Sequence, residues 1–150
     1  MFENIKEYKW VPVVIKRNEI YDKHPTALAT YSKWKITIYE PFYTQSDEEK
    51  QAVLAHEYAH HIYYKMTFTE KKIWQFISTW RLIKILNIFW FTKYKKNAFT
   101  RKYAKTNYRE DFASCAGHIK RLELYSYLKP FNNFADFKIK RVQSILNYYK

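Results

Sequence analysis

The sequence predicts one mainly helical α+β domain with a short sheet, spanning residues 1–150. Three observations carry this. Two short stretches, Val11–Lys16 and Trp34–Tyr39, are rich in β-branched and aromatic residues. Two helix-opening signatures, Ser46–Glu49 and Asn107–Glu110, are each followed by apolar residues at helical spacing. No repeat, low-complexity tract or linker divides the chain.

Taken in order, residues 1–10 are weakly patterned. Val11–Lys16 reads as a strand, with Pro12 placing it at an edge or at a strand start. Residues 18–33 read as irregular, with a turn at His24-Pro25. Trp34–Tyr39 alternates: Trp34, Ile36 and Ile38 share one face, Lys35, Thr37 and Tyr39 the other, and Pro41 ends the strand. Ser46 caps a helix expected over 47–66, kept slim by Ala52, Ala55 and Ala59. A second helix is expected over 70–90, with a broad apolar face of Ile73, Trp74, Phe76, Ile77, Trp80 and Ile83, and is read as a core helix. Residues 93–105 are basic and read as a loop. A third helix is expected over 107–127. On it Glu110, Ala113, Ser114 and Gly117 fall on one face, at i, i+3, i+4 and i+7. Gly117 is the only glycine of the chain, and mid-helix glycine is costly, so this small-residue face implies close approach to another helix. Asn132 or Asn133 caps a last helix reaching Tyr149.

Lys and Arg number 27 against 14 Asp and Glu, a net charge of +13, which is read either as the mark of an acidic partner (nucleic acid, an anionic membrane, or an acidic protein) or as a solvated, soluble surface. The single cysteine, Cys115, excludes an intrachain disulfide and reads as a small buried hydrophobe. The most apolar window, residues 73–91, is broken by Gln75, Ser78, Arg81, Lys84 and Asn87, which makes it a poor membrane span. With no signal peptide visible, the expected location is cytoplasmic, and the expected state a monomer.

The chemistry concentrates at His56-Glu57-Tyr58-Ala59-His60, an H-E-x-x-H pattern. Two imidazoles at i and i+4 share a helical face and can hold one Zn²⁺ from the same side. The carboxylate of Glu57 is then placed to act as general base on a metal-bound water. His61 points about 100° away around the helix and is not expected to share the metal. A catalytic zinc site needs a third protein ligand. The arrangement with a third histidine six residues on is missing, since Tyr63 stands where that pattern has glycine. Glu110 is the expected third ligand, because the small-residue face beneath it lets its helix lie against the metal helix. Its competing role is that of a capping glutamate. Asp111 and His118 are the fallback ligands, and His24 has no matching pattern.

His56-Glu57-x-x-His60, followed about fifty residues later by Tyr103-Ala-Lys-Thr-Asn-Tyr-Arg-Glu110-Asp-Phe-Ala113, resembles the lethal-factor-type zinc peptidases. These include the catalytic domain of anthrax lethal factor and the secreted Pro-Pro endopeptidases, in the gluzincin tribe. The resemblance covers roughly residues 34–127. It implies a zincin-like fold, a single zinc ion, a ligand role for Glu110, and a metal-facing Tyr103 that stabilises the oxyanion. It also implies an edge strand that binds an extended peptide, here the strand at 34–39. Many relatives carry an acid where Ser114 stands, and the secreted ones carry signal peptides. The expected activity is therefore zinc-dependent endopeptidase action on a peptide or protein substrate. The alternatives are a basic H-E-x-x-H protease working on nucleic-acid-bound proteins, and a non-catalytic cationic binding protein.

Overall fold

The computed structural model describes residues 7–78, 80–83, 89–92, 104, 106–124 and 133–149. Strands β1 (Glu7–Tyr8), β2 (Val11–Lys16), β3 (Ala29–Ser32) and β4 (Lys35–Tyr39) come first, then helices α1 (Glu40–Tyr43), α2 (Asp47–Lys65) and α3 (Phe68–Ile77). A hairpin of β5 (Trp80–Ile83) and β6 (Phe89–Thr92) precedes α4 (Tyr108–Leu124) and α5 (Asn133–Tyr148). The chain is thus mixed α+β and mainly helical, as the sequence predicts. No helix among the described residues is long and apolar enough to cross a membrane.

The first four strands form one sheet in the order β1-β2-β4-β3. β4 runs parallel to β2 and antiparallel to β3. This corrects the expectation that residues 34–39 form the edge: β4 is interior, and among the described residues β3 is the edge strand. The reason is a second hairpin inside the stretch expected to be irregular. Lys33 and Trp34, with φ of 49° and 64°, form a two-residue turn that reverses the chain between β3 and β4. The same device, at Lys9 and Trp10 (φ 45° and 68°), joins β1 to β2. Glycine or asparagine normally marks such turns, and neither pair contains one. Thr37 and Tyr39, on the face expected to be outward, are also buried. Tyr21, from the 17–28 connection, stacks on Tyr39 with ring centroids 5.3 Å apart.

α2 opens as expected, the Ser46 hydroxyl accepting from the Glu49 N–H at 3.3 Å. α3 departs from expectation at both ends. It starts earlier because Thr67 and Glu70 form a reciprocal capping box. It stops at Ile77 instead of reaching residue 90, and the Ser78 hydroxyl bonds back onto the Trp74 carbonyl at its end. The β-branched and aromatic residues beyond pair as a hairpin instead. The basic stretch expected to be a loop lies almost wholly outside the described residues.

α2 and α4 are the two helices that frame the site. A Cβ built on Gly117 would stand 3.1 Å from the Ala52 carbonyl oxygen and 3.5 Å from the His56 Cβ. Only a residue without a side chain lets α4 lie this close to α2. At the far end of the contact, Arg121 grips the Glu49 carboxylate through Nε (2.9 Å) and Nη2 (2.5 Å). Ile36 and Ile38 from the sheet, Leu54 and Ile62 from α2, and Phe112 from α4 fill the core between these layers. α5 closes the opposite side of α4. There Lys138, 1% exposed, meets both oxygens of fully buried Asp111 at 2.6 Å.

Candidate metal centre

α2 sets His56 and His60 one turn apart on the face it turns toward α4, with ring centroids 4.9 Å apart and the rings nearly perpendicular. Glu110 enters from the first turn of α4. Its Oε2 lies 3.3 Å from His56 Nε2 and 3.5 Å from His60 Nε2. All three candidate ligand atoms lie within 4.8 Å of one another. The competing capping role does not claim this carboxylate. Asn107 is the cap, its Oδ1 accepting from the N–H groups of Arg109 (2.9 Å) and Glu110 (3.0 Å). That leaves the Glu110 side chain to reach across to α2.

The donor set fits a divalent cation on two counts. Among the described residues, buried Glu110 Oε2 has only the two imidazole nitrogens near it and no well-aligned hydrogen-bond partner, an arrangement that costs free energy unless something else satisfies the oxygen. Ligand atoms about 2.0–2.2 Å from a tetrahedral ion stand roughly 3.3–3.6 Å apart. The observed 3.3 and 3.5 Å fall in that range. His56, His60 and Glu110 could therefore hold a metal ion. Two imidazoles and a carboxylate do not by themselves choose among zinc, iron and nickel.

Electrostatics follow from burial and mutual proximity. Burial pushes the Glu110 carboxyl up, but the two imidazoles facing it outweigh burial and hold it down at about 2. Burial works to lower His60, but Glu110 and Glu57 beside it raise it overall. Glu57 is 8% exposed, and burial lifts its carboxyl above the usual range. His56 and His60 oppose that rise without cancelling it, as does a hydrogen bond from the Tyr31 backbone N–H.

Sequence reasoning did not single out Tyr31. It sits on β3, which was read as irregular, and its only sequence signal is the β-prone run Thr30-Tyr31-Ser32. Its phenol also meets His61 Nδ1 at 3.0 Å. His61 accordingly faces the sheet, between Tyr31 and Trp34, and stands apart from the metal cluster. Asp111, one fallback ligand, faces α5 and Lys138. His118, the other, is buried two turns down α4 and is not in the cluster. Cys115 is buried, its thiol pushed up by burial. Tyr103 lies outside the described residues.

The cluster opens onto a cleft of about 1180 Å³ bounded by β3, α2, α3 and the start of α4. The Leu28 carbonyl accepts the Tyr39 N–H at 3.0 Å. Since alternate residues of an antiparallel strand bond to the same side, the main-chain groups of Ala29 and Tyr31 point to the open edge. Comparison with family models, curated proteins and solved structures finds no match to this chain.

Proposed function

We propose that this chain is a zinc-dependent endopeptidase of the gluzincin kind, the activity that its resemblance to the lethal-factor-type peptidases implies. The observation that carries the proposal is the convergence of His56, His60 and Glu110 from two helices, with buried Glu57 beside them, at the floor of an edge-strand cleft. Zinc held by these three residues would supply a Lewis acid and a bound water with a pKa of about 7.

The chain's own residues divide the remaining work. The Glu57 carboxylate takes the proton of the attacking water and passes it to the departing amine. The Tyr31 N–H holds the carboxylate in place. An extended peptide adds to β3 through the Ala29 N–H and C=O and the Tyr31 C=O, so the strand that recognises the substrate also orients the base. Tyr103 would donate its phenolic hydrogen bond to the developing oxyanion, a role that rests on the resemblance alone.

The test is cleavage of a peptide library by the wild-type chain and by Glu57→Gln, each with its zinc content measured. The proposal expects cleavage by the wild type, loss of at least about 10²-fold in rate in the variant, and equal zinc in both. Undiminished cleavage by Glu57→Gln would remove the general base from the mechanism.

A further inference from the structure

The cleft is electrically one-sided. Among its described lining residues the only carboxylates are Glu57 and Glu110, both in the candidate metal centre, whereas Lys33, Lys71, Lys72 and Arg109 bring four cationic groups. Three of these gather at one end. The floor of the cleft is α2 from Val53 to Tyr64, with the metal cluster near its middle. At the Tyr64 end, Trp34 of the β3–β4 turn packs edge-on against Tyr64 with centroids 4.4 Å apart, which brings neighbouring Lys33 to this end. The Tyr64 carbonyl accepts from Lys71 Nζ at 2.9 Å, and Lys72 Nζ stands 5.3 Å from the centre of the Phe68 ring at the start of α3, just after the end of α2. At the Val53 end the wall is His24, Thr26 and Ala27, and an adjoining hollow beyond it holds Asp22 and Glu19, the latter paired with Lys16.

Direction follows from the strand. β3 runs from Ala29 toward Ser32 and the turn, so its C-terminal end lies at the cationic end. Antiparallel addition is the more stable mode, and it puts the N-terminal part of an added peptide at that end. From the middle of the metal pair to Tyr64 is six helical residues, about 9 Å, or roughly three residues of extended peptide. We infer that the cleft selects peptides carrying acidic side chains within about three residues on the N-terminal side of the bond to be cut, read by Lys33, Lys71 and Lys72. This rests on the peptidase reading for the position of that bond, but the recognition itself can be measured without turnover.

The probe is a short fluorescein-labelled peptide with glutamates N-terminal to a central apolar pair. Two companions carry glutamines there, or glutamates on the C-terminal side. Affinity is measured by anisotropy on zinc-loaded Glu57→Gln protein. The expected result is binding of the first peptide about fivefold to tenfold tighter than either companion. Lys33→Glu/Lys72→Glu should erase that difference. Lys120→Glu/Lys140→Glu, with the same change in net charge outside the cleft, should leave it intact. Equal binding of all three peptides, preference for the C-terminal acids, or an equal loss from the Lys120/Lys140 pair would each overturn the inference. If the preference is present but wild-type protein with zinc cuts no peptide, recognition stands and the peptidase reading fails. If wild-type protein cuts acidic and neutral peptides with equal kcat/KM, the peptidase reading stands and the inference fails.

Discussion

Removing the carboxylate of Asp111 breaks a buried ion pair. Asp111 is fully buried, Lys138 is 1% exposed, and the ammonium stands 2.6 Å from each carboxylate oxygen and 5.7 Å from the centre of the Trp74 ring. Asp111→Ala removes the carboxylate that both of these short hydrogen bonds reach, and breaking one side of a buried pair typically costs about 3–5 kcal/mol. In a chain of 150 residues, 1 kcal/mol moves the melting temperature by about 2–4 °C, so the expected fall is roughly 6–20 °C. Lys138→Met should be destabilising as well, because it leaves a buried carboxylate. The double variant Asp111→Ala/Lys138→Met removes both charges and should recover at least about 2 kcal/mol relative to the sum of the single losses. Urea denaturation of the four proteins closes the cycle. Metal content, measured alongside, should not change, since Asp111 faces away from the cluster although it follows Glu110 in sequence. A loss below about 1 kcal/mol for Asp111→Ala would mean that Lys138 reaches solvent, and would refute a sealed α4–α5 contact. Loss of metal with stability retained would return Asp111 to the ligand set.

Two further outcomes follow. Gly117→Val would drive a branched side chain into a space where even a Cβ meets the Ala52 carbonyl at 3.1 Å. Overpacking of this kind costs about 1–3 kcal/mol, and because His56 Cβ is the next atom in line, metal affinity should fall with stability. Calorimetry and metal titration on the variant check both. Glu70 provides a pH test. Partial burial acts to raise its carboxyl, but hydrogen bonds from the Thr67 N–H, the Tyr149 hydroxyl and the Thr67 hydroxyl outweigh it and hold the group below its usual value. A depressed folded-state pKa contributes stability that is present above the ordinary carboxylate pKa and lost as the pH falls through the depressed value. Denaturation midpoints should therefore drop more steeply below about pH 4 in wild type than in Glu70→Gln.

The helix that carries the motif was legible because its signals are local. Ser46 and Glu49 mark its start, and the i, i+4 histidines fix their own geometry once the helix forms. The third candidate ligand was legible for a subtler reason: a lone glycine on the face of Glu110 predicts close helix packing, and Gly117 indeed sits against Ala52 and His56. The edge strand was not legible. β3 and β4 turn through Lys33-Trp34 in a backbone conformation that these residues seldom adopt, so a two-residue hairpin was hidden in what reads as loop. Without β3 the pattern of β4 reads as an edge, and nothing in the sequence marks Tyr31, whose N–H favours the charged form of Glu57. The second helix ends earlier than its spacing predicts because aromatic and β-branched residues at helical spacing fit a hairpin equally well, and here they pair across Trp80–Thr92.

The most direct test of the metal centre is zinc stoichiometry and affinity in the wild-type chain and in Glu110→Ala. Convergence of two imidazoles and one distant carboxylate predicts one zinc per chain in the wild type and a loss of affinity of at least about 10²-fold in the variant, with the fold retained. Wild-type affinity and stoichiometry in Glu110→Ala would show that α4 contributes no ligand, and would contradict the centre described here.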